Sequence, residues 1–188
     1  MELVSEAIAF AVKAHDGMRR KKSESPYILH PLEAAVIVGT MTDDQHLIAA
    51  AALHDVVEDA GITMEEIGER FGSRVRELVE SETENKREDT PPEETWRIRK
   101  EESLAVLKNT DDIGVLMVWI GDKLANMRAI YRDFKVEGHA MWQRFNQKDA
   151  AAQAWYYRSI ADLTRRLSHT SAWIEYQALT ELVFGKGE

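Results

Sequence analysis

Apolar residues recur at helical spacing along nearly the whole chain, and alternating strand patterns are scarce. Val4, Ile8, Ala11 and Val12 mark one face of a first helix, and Leu32, Ala35, Val36 and Val38 mark a second. Such a chain must bury helix against helix, so the expected fold class is all-α, a compact irregular helical bundle. With 188 residues, 44% of them hydrophobic, there is material for one sizeable core, and residues 1–188 are expected to form one domain.

Local signals refine this outline. His30-Pro31-Leu32-Glu33 reads as a helix start and puts His30 at the helix mouth, with a short β-hairpin allowed before it. A third helix is expected over residues 44–59, stopping at Gly61, and Thr63-Met64-Glu65-Glu66 opens a fourth. Residues 80–92, the least apolar segment, predict an exposed loop and a mobile lid before a helix near 93–107. A central helix is predicted over residues 113–134, leaving at Gly138, and two more over 149–167 and 171–184.

Composition removes several functions. With no cysteine, disulfides, thiolate nucleophiles and Cys-type zinc are excluded, so any metal must be held by nitrogen and oxygen. A net charge of -9 argues against nucleic-acid binding, which needs a broad basic face, but allows a small anion where cations gather locally. The longest apolar stretch, residues 48–57, is too short to cross a bilayer, and no signal pattern opens the chain; a cytoplasmic location is the expectation.

The densest polar signal is His54-Asp55-Val56-Val57-Glu58-Asp59 at the end of an apolar run. On one helix His54 and Glu58 share a face, and Asp55 and Asp59 the adjoining one. Buried acids are costly unless paired or metal-bound. Asp122 repeats the pattern amid the apolar residues of the central helix, with Asn126 one turn on. His30, His54, Asp55 and Asp122 then supply two imidazoles and two carboxylates, a donor set suited to Mn, Fe, Zn or Ni. Glu58 and Asp59, one turn beyond, are placed to orient a water or accept its proton, and are read as catalytic.

Three segments, Tyr27-Ile28-Leu29-His30-Pro31-Leu32, Leu53-His54-Asp55-Val56-Val57-Glu58-Asp59 and Gly121-Asp122-Lys123-Leu124-Ala125-Asn126-Met127-Arg128, together resemble the HD-superfamily hydrolase domain of RelA/SpoT-type proteins, above all the stand-alone small alarmone hydrolases. The resemblance spans residues 7–132. It implies Mn2+-dependent hydrolysis of the 3′-pyrophosphate of ppGpp or pppGpp to GDP or GTP plus pyrophosphate, with one ion. It further implies that Arg20 stacks on guanine, Lys21 contacts phosphate and Asn126 contacts the sugar. Arg97 falls near a position where relatives carry a cation for the 5′-phosphates; Lys100 is its neighbour, and Tyr156 is placed to close the pocket.

The bland alternatives are a surface cation for Arg97, a core aromatic for Tyr156 and structural roles for His15, His46, His139 and His169, while Arg128 is expected to pair with helix acids. One extra residue between Arg20-Lys21 and His30, and Ala129 in place of a common polar residue, depart from the family pattern at the nucleotide pocket. Two other functions therefore stay open: the same chemistry on an adenosine alarmone or NADPH, and a non-catalytic alarmone sensor. The oligomeric state is open too, a homodimer included.

Overall fold

The computed structural model describes residues 2–20, 24–87 and 89–186. Among them ten α-helices follow in order: α1 Leu3–Ala14, α2 Leu29–Gly39, α3 Gln45–Leu53, α4 Val56–Ala60, α5 Met64–Phe71, α6 Ser73–Glu82, α7 Pro92–Asn109, α8 Ile113–Glu137, α9 Ala150–Leu163 and α10 Ser171–Phe184. Short 3-10 turns cover Gly138–Arg144 and Arg165–Leu167. No β-strand forms among the described residues. Where the sequence allows a short β-hairpin, one antiparallel bridge joins Arg19 to Pro26 ahead of α2, and residues 21–23 between them lie outside the described residues.

The helix starts follow capping chemistry. Asp44, Thr63, Asp112, Asp149 and Thr170 each accept a backbone N–H in the first turn of the helix they precede. Gly61, at φ 69°, ends α4 in the left-handed conformation that favours glycine.

Two expectations need correction. The helix predicted over residues 44–59 is broken at His54–Asp55 into α3 and α4. The His54 ring Nδ1 sits 2.8 Å from Ala51 O, so the ring N–H takes the carbonyl that a continuing helix would offer to residue 55. Residues 80–92 are not a free lid: α6 runs on to Glu82, and the segment after it is fastened to α4 and α7 through Glu84 and Lys86.

The core is built on α8, whose Val118, Trp119, Ile120, Leu124 and Met127 are buried. It packs against α2, α3 and α10. The α2–α8 crossing is close because Gly121 lacks a side chain. A Cβ there would lie 2.6 Å from Val38 Cγ2 and 3.0 Å from Ala34 O. This contact brings the next residue, Asp122, beside the start of α2. Alanines 49–52 of α3 are likewise fully buried, so α3 also approaches its neighbours closely. No described helix is long and apolar enough to cross a membrane.

Candidate metal centre

His30 lies in the first turn of α2, His54 and Asp55 at the α3–α4 break, and Asp122 in the middle of α8. Three helical segments thus aim polar side chains at one point under the core. One ligand atom each from His30, His54 and Asp122, all buried, lie within 4.8 Å of one another. His30 Nε2 is 2.9 Å from Asp122 Oδ1 and 3.5 Å from Asp55 Oδ2. His54 Nε2 is 3.3 Å from Asp55 Oδ2 and 3.4 Å from Asp122 Oδ1.

The donor set fits a divalent cation. His54 Nδ1–H is spent on Ala51 O, which fixes the tautomer that turns Nε2 inward. That buried Nε2 faces two carboxylates, yet makes no hydrogen bond. Burial alone would push the His54 pKa down, but Asp55 and Asp122 outweigh it and hold the imidazole well above its usual range. Asp55 and Asp122 are held below the usual carboxylate range despite their burial, Asp55 chiefly by His54 and Asp122 chiefly by Lys123 and His54. Two ionised acids in a low-dielectric pocket call for positive charge, which imidazolium protons or a metal can provide in competition.

Glu58 and Asp59 stand at the rim on α4. Glu58 Oε1 accepts from the backbone N–H of Glu84 at 2.6 Å, and burial raises the Glu58 pKa. Asp59 has both oxygens engaged, Oδ1 by Lys86 Nζ at 2.6 Å and Oδ2 by the Tyr27 hydroxyl at 2.6 Å. Lys86 also donates to Glu58 O at 2.7 Å. The segment expected to be a lid is therefore latched onto the acid pair.

On the other side, Arg20 Nη2 donates to Asn126 Oδ1 at 3.0 Å, and Asn126 Nδ2 donates to Asp122 Oδ1 at 2.7 Å. Two of the expected nucleotide contacts are thus wired to a metal-facing carboxylate. Lys21 lies outside the described residues. Arg97 is exposed, paired with Glu101 at 2.7 Å and stacked 3.5 Å over the Trp155 ring. Tyr156 is buried in a cluster with Trp96, Trp155 and Tyr157, its hydroxyl without a hydrogen-bond partner. Lys100 Nζ lies 4.8 Å from that ring and 2.6 Å from Glu84 Oε1. Arg128 pairs with Glu175 and Glu33, the structural role expected of it.

Several participants carried no sequence signal of their own. Lys123 pairs with Asp122 and with Glu82, whose pKa burial raises to about 7 against the pull of Lys123. Lys86 and Glu84 come from the polar segment and meet the site only through the fold. Tyr27 stood in a motif, but nothing in the sequence showed that its hydroxyl reaches Asp55 and Asp59.

Comparison with known proteins gives the family and the fold. The HD domain family matches residues 7–150. A guanosine-3′,5′-bis(diphosphate) 3′-pyrophosphohydrolase of Aquifex aeolicus is 36% identical over 130 residues, covering 69% of this chain and 18% of that protein. A GTP pyrophosphokinase of Myxococcus xanthus is 33% identical over 132 residues, covering 69% and 17%. The chain thus spans under a fifth of the length of these curated relatives. The structure of lmo0812 from Listeria monocytogenes aligns with TM-score 0.72 at 27% identity, over 84% of this chain and 99% of that one. A structure described as a metazoan ortholog of SpoT that hydrolyses ppGpp shares the fold, with TM-score 0.76 at 22% identity over 99% and 98% of the two chains. With its three motifs gathered at one buried cluster, the chain belongs to the HD-domain family, with relatives of the RelA/SpoT type.

Proposed function

We propose that residues 1–188 act as one HD-type unit that hydrolyses the 3′-pyrophosphate of ppGpp or pppGpp, giving GDP or GTP and pyrophosphate. The observation that carries this reading is the convergence of His30, His54, Asp55 and Asp122 beside the Glu58–Asp59 pair. The name of the A. aeolicus relative and the description of the metazoan structure point to the same substrate. A single Mn2+ held by the four residues would supply Lewis acidity to a phosphate oxygen and acidify the attacking water.

The protein's own groups divide the remaining work. Glu58 has Oε1 tied to Glu84 N and Oε2 at 3.6 Å from Lys86 Nζ, and Oε2 takes the proton of the attacking water. The water oxygen bonds to the phosphorus attached to the ribose, the bond to the 3′-oxygen breaks, and that oxygen gains a proton as pyrophosphate leaves. Asp59, held from both sides, orients the water rather than receiving its proton. Arg20 presents a guanidinium face for the base, Asn126 contacts the sugar and Lys21 a phosphate. Arg97 meets the 5′-phosphates at the rim, and Tyr156 backs the pocket from within the aromatic cluster.

The test is product analysis with Mn-loaded protein over ppGpp, pppGpp, pppApp and NADPH. Pyrophosphate and GDP from ppGpp are expected. Turnover confined to pppApp or NADPH would reassign the substrate while keeping the chemistry, and tight ppGpp binding without products would make the protein a sensor.

A further inference from the structure

Asp55 occupies the N-cap position of α4, where an aspartate ordinarily turns its carboxylate onto the free backbone N–H groups of the first turn. Here the backbone is in the helical region, at φ -96° and ψ -7°, and the side chain makes no capping hydrogen bond. Its Oδ2 instead points at the two imidazoles and accepts from the Tyr27 hydroxyl at 2.7 Å. The same hydroxyl lies 2.6 Å from Asp59 Oδ2. One phenol oxygen therefore touches a metal-facing carboxylate and a member of the acid pair.

The ring is fixed from several sides. It stacks on His15 of the α1 C-terminus, centroids 5.1 Å apart and planes 22° apart, and meets His30 edge-on at 6.3 Å. His15 is buried, with its Nδ1 held 3.0 Å from Ala11 O. On the backbone, Tyr27 N donates to Met18 O and its carbonyl accepts from His30 N, both at 3.0 Å. The hydroxyl is thus delivered to the carboxylates by α1 and the start of α2.

We propose that Tyr27 is a positioning residue that holds Asp55 in its metal-facing rotamer and registers Asp59 against it. The proposal rests on the metal-site reading given under Proposed function. Without the hydroxyl, Asp55 Oδ2 loses the donor that fixes its orientation between the two imidazoles. Metal affinity then falls while the fold does not suffer. Asp59 loses its contact with the phenol, whose one proton it shares with Asp55, and keeps Lys86.

The test is Tyr27→Phe, which keeps the ring and its stack on His15. Titration calorimetry of Mn2+ into metal-free protein should show binding weakened by about tenfold or more, the usual effect of removing a group that orients a metal ligand. With ppGpp, kcat should fall by a similar factor and KM should stay within about twofold. The metal-free melting temperature should not fall. Adding Asp59→Asn should cost less kcat in the Tyr27→Phe background than in the wild type, because the two changes break one shared link. Unchanged Mn2+ binding in Tyr27→Phe would overturn the proposal, as would kcat losses that simply multiply or a collapse in melting temperature. If the wild type itself takes up no Mn2+, the metal-site reading falls first and this one with it. If it binds Mn2+ but leaves ppGpp intact, the calorimetry still decides the role of Tyr27.

Discussion

The two halves of the site are built in opposite ways. Around the metal-facing cluster, His30, His54 and Asp122 are buried on or between helices that pack through Gly121, Ala34 and the alanines of α3. On the side expected to meet the nucleotide, Arg97 is paired with Glu101 and Lys100 with Glu84, while Arg20 donates to the neutral Asn126 amide. The first half gathers buried acids against His54 and Lys123, and in the proposed function a divalent cation completes it. In the second, a phosphate must displace an internal carboxylate to bind Arg97 or Lys100. Mutations should therefore cut deep in the first half and shallow in the second.

The largest effect is expected at the junction of the two. Glu58→Gln keeps the shape and the hydrogen bond from Glu84 N but removes the proton acceptor. Turnover of ppGpp should drop by roughly 10²–10⁴-fold with metal content unchanged by elemental analysis. Equal turnover would take Glu58 out of the chemistry and blur the contrast between the halves.

Arg97→Ala probes the rim. Both members of the Arg97–Glu101 pair are more than half exposed, so exchanging Glu101 for a phosphate gains little. KM should rise by no more than about tenfold, kcat should hold, and the difference should shrink with added salt. A large loss of kcat would show that the rim cation reaches the reacting phosphate.

The smallest effect on turnover is expected at Asp112, the cap of α8, which accepts from Gly114 N and from both terminal nitrogens of Arg74. Asp112→Ala should cost about 1 kcal/mol of stability, mostly through the lost cap because the ion pair is a third exposed, and leave kcat unchanged at moderate temperature. The Arg74 guanidinium holds the Asp112 pKa below the usual aspartate value. Its contribution is then present above the unfolded-state pKa and lost as pH falls through the lower folded-state value. Wild-type and variant melting curves should converge in acid. A kcat that fell with the cap would mean that the metal half is less rigid than its packing implies.

The convergence of His30, His54 and Asp122 was legible in the sequence because acids and histidines inside apolar helical runs are costly to bury without partners. The helix ends at Gly61, Thr63 and Gly138 were legible too, since local chemistry dictates the backbone there. The break at His54–Asp55 was not, because both residues continue a helical pattern and the interruption comes from a ring N–H taking Ala51 O. Residues 83–86 looked like solvated loop because their partners, Glu58, Asp59, Lys100 and Ser103, are distant in sequence. The same holds for Tyr27 and Lys123, whose roles arise where helices cross. Tyr156, expected to help close the pocket, is buried among Trp96, Trp155 and Tyr157, and helical patterning around an aromatic does not separate a pocket wall from the core.

The central claim is that four side chains from three parts of the chain hold one ion. Crystals grown with Mn2+ and measured at the manganese absorption edge test it directly. One anomalous peak is expected, roughly 2.0–2.3 Å from His30 Nε2, His54 Nε2, an Asp55 oxygen and an Asp122 oxygen. A peak on Glu58 and Asp59 instead, or no peak at the cluster, would contradict it.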